Sequence, residues 1–287
     1  MKFCVAIGTS LVDTTPVPLG GDFVEQMRIA ASIGYDAVEL HIPMPNVLNI
    51  PALQKTKQDL NLSIATLGTG SIFGKFGFSL LEKDDLKRDM LVGMVQQFID
   101  CAATLESKVT IGSIKGNCCM GWTREEALEV FGTTLYSLSK YAGERGVKLL
   151  LEATNRYENN VLNRGDEVVD IIKKYQLDHA QVLLDSFHSN IEEPDLNTCI
   201  TKIAPYLGHV HVADNTRGYP GSGSFRFETF IKQLSEIHYN GVVSVECLPK
   251  PTGLEAAEQA YAFLTKHLFG RKRKTNLFYM AMVHCYH

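Results

Sequence analysis

No apolar run in the chain approaches the roughly 18 consecutive positions that a membrane-spanning helix needs, so neither a helical membrane protein nor a membrane partner is expected. A disulfide framework is also missing. The seven cysteines are odd in number and irregularly spaced, and the adjacent Cys118 and Cys119 lack the Cys-x-x-Cys spacing of a zinc or redox site. A reducing cytoplasm is the expected compartment. There is no surplus of positive charge: the formal net charge is −4, with acids and bases mixed along the chain. That argues against a nucleic acid or an anionic membrane drawn in by long-range attraction. Two nucleotide signatures fail as well. The first strand-like run is followed by GTSLVDTTPVPLGG, with no Gly-x-Gly-x-x-Gly turn. GTGSIFGKFG (68–77) misses the phosphate-loop spacing, because Lys75 is followed by Phe76, and is expected to be a lid loop. The start, MKFCVAIGTS, reads as a first strand and not as a signal peptide.

What is present is a regular alternation. Hydrophobic residues make up 45% and charged residues 21% of the 287 positions, enough for a sizeable core. Short β-rich runs fall at 2–7, 36–40, 62–67, 108–113, 147–152, 181–185, 209–213 and 242–246. Amphipathic segments such as DLKRDMLVGMVQQFIDCAATL lie between them, and Gly34 and Gly146 stand where helix C-caps belong. Eight strand–helix units in one domain, 1–270, have the length of an α/β (β/α)₈ TIM barrel. A doubly wound sheet is the alternative. The tail 271–287 begins with basic residues and turns apolar. It is expected to be a frayed extension whose apolar half is available to a neighbouring subunit of a homo-oligomer.

The four later strands share a feature. Side chains alternate faces along a strand. Counting back in twos, Glu152 is in phase with Leu150, Asp185 with Leu183, His211 with His209, and Glu246 with Ser244. The opposite faces, such as Leu149/Leu151 and Val243/Val245, are wholly aliphatic, as expected beneath covering helices. Glu152, Asp185, His211 and Glu246 should therefore converge at the carboxyl ends of consecutive strands, where barrel enzymes place their chemistry. A single acid at a strand end is as often a helix cap, but four ligand-type side chains in phase are hard to explain that way. Three crowded carboxylates repel one another, and a divalent cation removes the conflict. Three oxygen donors and one imidazole suit Mn²⁺ or Mg²⁺, with Co²⁺ acceptable and zinc less favoured. His209, one layer deeper, is expected to be structural or to support the ligand. Glu39 and His41 end the second strand in phase and also point toward the mouth.

LLLEATNRYE, LLDSFHSNIEE, GHVHVADNTR…PGSGSF and YNGVVSVE together resemble the xylose isomerase-like sugar isomerase/epimerase family, most nearly its ketose 3-epimerases of the D-tagatose/D-psicose type. The resemblance is specific over about residues 145 to 250. It implies that Glu152, Asp185, His211 and Glu246 hold one divalent ion, commonly Mn²⁺. It further implies that Glu152 and Glu246 act as acid and base, and that Glu158, His188 and Arg217 hold the oxygens of a small sugar. The N-terminal half names no sugar. A metal-dependent dehydratase of a keto-polyol, using the same first deprotonation, is the main alternative. An endonuclease-like phosphodiesterase would need more histidines and a basic groove, and a non-catalytic sugar-binding barrel would not need every ligand. Two further segments stay open: Trp122 either stacks on a sugar or packs on the next helix, and GYPGSGSF makes tight turns or a phosphate cradle.

Overall fold

The computed structural model describes residues 1–269; the expected tail, 271–287, lies outside the described residues. Eight parallel strands close on themselves: β1 (Lys2–Gly8), then β3 (Ala37–His41), β4 (Ser63–Gly68), β5 (Lys108–Ile111), β6 (Leu149–Glu152), β7 (Ala180–Asp185), β8 (Leu207–Val212) and β9 (Val242–Val245). Closure comes from β9 pairing with β1, Lys2 opposite Val242 through Val5 opposite Val245. The fold is a TIM barrel, and closure rules out the doubly wound alternative.

One small strand escaped the sequence. The two residues of β2 (Leu19–Gly20) pair with Ile7 and Gly8. β9 stops opposite Val5, which leaves the last three residues of β1 beyond it, and β2 pairs with two of them. A side chain at Gly20 would sit 2.5 Å from the backbone of Ser10, so only glycine permits the approach.

Among the described residues ten helices surround the barrel: α1 (Phe23–Ile33), α2 (Ile50–Asp59), α3 (Gly70–Phe76), α4 (Asp85–Leu105), α5 (Arg124–Gly143), α6 (Gly165–Lys174), α7 (Ser186–Glu192), α8 (Leu196–Ile203), α9 (Phe227–Glu236) and α10 (Gly253–Phe269). Local chemistry sets their ends. Asp22 caps α1 by accepting from the Glu25 amide, and Gly34 closes it at φ 115°, donating to Ala30 and Ala31. Thr123 and Glu126 form a reciprocal capping box on α5. Gly146, expected as the cap of α5, instead takes a left-handed turn (φ 68°) after the helix has ended at Gly143.

GTGSIFGKFG, expected as a loop, is a correction of a different kind: it holds α3, stopped by Gly77 at φ 69°. Among the described residues no helix is long and apolar enough to cross a membrane, and Cys4, Cys101, Cys118, Cys119, Cys199 and Cys247 are free thiols.

Candidate active site

The inner face of the barrel turns polar toward the carboxyl ends of the strands. Glu152 is the last residue of β6 and Asp185 the last of β7. His211 lies near the end of β8, and Glu246 directly follows β9. A register shift between Val182 and Leu183 sets Asp185 directly opposite His211; such bulges commonly re-aim a side chain beside a site. All four residues are buried, and one ligating atom from each lies within 4.8 Å of the others. His211 Nδ1 is 3.6 Å from Glu152 Oε1 and 3.5 Å from Glu246 Oε2.

The donor set fits a cation on physical grounds. Asp185 Oδ2 and His211 Nδ1 are both buried without a hydrogen-bond partner, although buried polar atoms are nearly always paired. Arg217 Nη1 does lie 3.1 Å from Asp185 Oδ2, but not in hydrogen-bonding alignment. Burial pushes the Asp185 carboxyl up to about 6, against Arg217 and with help from Glu246 and Glu152. Burial also opposes charge on His211, yet Glu39 and Glu246 raise its pKa well above the histidine range. Burial likewise opposes charge on Glu246, but His211 and Arg217 hold it below the usual carboxylate range. The acids thus recruit positive charge from whatever group is near. Room for Glu152 is made by Gly112, where a Cβ would come within 2.2 Å of Glu152 Oε2.

A second group closes over this centre. Arg217, at φ 61°, donates from Nη2 to Glu246 Oε2 at 2.5 Å, and its Nη1 is 3.2 Å from His188 Nε2. Its guanidinium lies over the Phe187 ring, 4.6 Å from the centroid. The loop that carries Arg217 is pinned on both sides: its amide donates to the Asp214 carbonyl and its carbonyl accepts from Leu248. His188, on α7, has its Nε2 3.8 Å from both Glu152 and Asp185. Burial, with Arg217 and Lys115, keeps its pKa well below the ordinary range, so it is a neutral imidazole. Glu158 is the most exposed of these groups, with Oε1 3.9 Å from His188 Nδ1 and accepting from Asn155 Nδ2 at 3.0 Å. All seven residues singled out from the sequence therefore lie around one centre.

A profile of the family described as "Xylose isomerase-like TIM barrel" matches residues 27–267. The chain belongs to that family. A D-psicose 3-epimerase of Agrobacterium fabrum is 28% identical over 244 residues, covering 81% of each chain. An L-ribulose 3-epimerase of Methylomonas sp. is 27% identical over 225 residues, 76% of this chain and 75% of that one. Among solved structures, a 3-keto-D-glucoside 4-epimerase from E. coli superposes with a TM-score of 0.80 at 22% identity, covering 93% of this chain and 99% of the other. The expected membership is met, and the chain is an enzyme of the isomerase class, as its epimerase relatives are.

Other residues at the centre were seen dimly or not at all. Glu39 is fully buried and meets three histidines: Oε1 is 3.1 Å from His41 Nε2, and Oε2 is 3.2 Å from Nε2 of both His209 and His211. Strand phase aimed Glu39 and His41 at the mouth but could not show which partners they find. Lys115 gave no signal. It lies in a short turn after β5, almost wholly buried, and donates to the Glu152 carbonyl at 2.9 Å and to Thr154 Oγ1 at 2.7 Å. Burial pushes this amine down to about 8, against the pull of Glu152 and Glu158.

Two open segments resolve toward structure. Trp122 packs on the hydrophobic core beneath the Lys83 ammonium. Four amides of GYPGSGSF are occupied internally: Asp214 accepts from Gly221 and Phe225, Asn215 from Ser224, and the Tyr219 carbonyl from Ser222. These hydrogen bonds favour the tight turns over a phosphate cradle.

Proposed function

We propose that the chain is a divalent-metal-dependent epimerase of a ketose or keto-sugar, inverting one carbon by removing and returning a proton beside a carbonyl. The observation that carries this reading is the placement of Glu152 and Glu246. They stand at the carboxyl ends of β6 and β9, with two strands between, and both reach the same His211 Nδ1. A carbon held between them would have one carboxylate toward each face. One takes the proton as general base, and the other returns a proton to the opposite face. Arg217 and the neutral His188, with Glu158 at the rim, would hold the sugar oxygens and meet the negative charge that develops on deprotonation.

Glu152, Asp185, His211 and Glu246 would hold the ion, which supplies the Lewis acidity that makes a carbon-bound hydrogen removable. The oxygen-rich set favours Mn²⁺ or Mg²⁺, with Mn²⁺ first. The relatives are named for psicose, ribulose and a keto-glucoside, which supports a keto-sugar of that size.

The test is a panel of free ketoses and keto-glycosides incubated with protein and Mn²⁺. A C3 or C4 epimer is expected. A product lighter by one water would replace the epimerase with the dehydratase, and an aldose product would replace two-base inversion with aldose–ketose isomerisation.

Arg217→Ala provides a narrower check. Losing a charged hydrogen bond should lower kcat/KM by about 10²-fold. Because a positive charge is taken from beside the cation site, Mn²⁺ should bind at least as tightly as before. An unchanged kcat/KM would remove Arg217 from the substrate site.

A further inference from the structure

One buried acid has no part in the chemistry above. Glu39 sits on β3, separated from β8 by β9 and β1, and reaches His209 and His211 across the barrel interior. A buried carboxylate left unpaired at that depth is strongly destabilising, so its partners matter. A carboxylate only accepts hydrogen bonds. Each of the three imidazoles must therefore turn an Nε2–H toward it. For His211 the consequence is specific. With its proton held on Nε2 by Glu39, a neutral His211 carries its lone pair on Nδ1, the buried atom that lacks a hydrogen-bond partner and faces Glu152 and Glu246. The ring plane is constrained as well, because His209 stands edge-on to His211 with centroids 5.2 Å apart at 84°. The same carboxylate holds His41, whose Nε2 lies 3.8 Å from Glu246 Oε1.

The geometry points to Glu39 as a positioning residue for the metal centre: it fixes the tautomer and plane of His211 so that Nδ1 is offered to the ion. This rests on the metal-dependent reading of the site. Carboxylates behind a ligating histidine act in this way, and their loss typically weakens metal binding by about 10–100-fold. Glu39→Gln is the near-isosteric probe. Glutamine offers one acceptor oxygen in place of two, so three Nε2–H groups can no longer all be satisfied.

Mn²⁺ titration followed by electron paramagnetic resonance should give a Kd weaker by about 10–100-fold for Glu39→Gln. A role confined to filling the barrel would lower Tm and leave Kd unchanged, and that result overturns the assignment. Because the variant can fail at folding, a second measurement uses the unaltered protein loaded with diamagnetic Mg²⁺. Histidine ¹⁵N spectra should show His211 protonated at Nε2 and unprotonated at Nδ1; the reverse pattern contradicts the assignment. Unaltered protein that binds no Mn²⁺ removes the metal reading and this role with it. Unaltered protein that binds Mn²⁺ with the same Kd as Glu39→Gln removes this role alone.

Discussion

Glu152→Gln and Glu246→Gln should each abolish net epimerisation, with a loss of about 10²–10⁴-fold for removing a positioned acid–base group. Glutamine keeps the shape and one ligating oxygen but cannot take up the proton. With one glutamate left, each variant should still exchange the carbon-bound hydrogen of one epimer with solvent, and the two variants should favour opposite epimers. Both residues touch His211 Nδ1, so metal content has to be measured in each variant before the rates are interpreted. If a variant keeps its metal and still epimerises at near the unaltered rate, the two-glutamate assignment is wrong. A one-base aldose–ketose isomerase would then fit the same strand ends better.

Stripping the divalent ion should have an effect of similar size. Three acids and one imidazole crowd within 4.8 Å, and His211 Nδ1 and Asp185 Oδ2 are buried without hydrogen-bond partners. Dialysis against EDTA should lower kcat/KM by at least about 10³-fold, the size of several kcal/mol of Lewis-acid stabilisation. Mn²⁺ or Co²⁺ should restore it at one ion per chain. Saturating metal should also raise Tm, since an ion that binds only the folded chain stabilises it by mass action, about 2.7 kcal/mol at a hundredfold excess over Kd. Full activity in a demonstrably metal-free sample would contradict the site.

The barrel and the metal-ligating candidates could be read from the sequence because both depend on short-range periodicity. Alternation by twos put Glu152, Asp185, His211 and Glu246 on one face of their strands, and a closed parallel sheet leaves that face only the interior. The pairing of β2 could not be read in this way. It depends on where β9 stops and on a backbone approach that only Gly20 permits. Lys115 was hidden for a related reason: a lysine in a glycine-flanked turn looks solvated until tertiary structure lays it under Glu152. Glu39 is intermediate. Its phase was visible, but its three histidine partners span the barrel and more than 170 positions of chain, a separation that no local pattern records. The helix α3 was misjudged because two glycines and a failed nucleotide motif suggested a loop, whereas the segment closes two turns before Gly77 ends it.

Proton transfer between two faces of one carbon is the central claim, and solvent deuterium tests it most directly. The Mn²⁺-loaded protein would be supplied with a ketose it converts, in D₂O, and both sugars analysed by NMR and mass spectrometry at low conversion. The product should carry one deuterium, at the inverted carbon alone, because the returning proton comes from a glutamate equilibrated with solvent; the recovered substrate should be unlabelled. Product that forms at the same stage without deuterium would contradict a two-glutamate exchange and point to hydrogen carried directly from substrate to product.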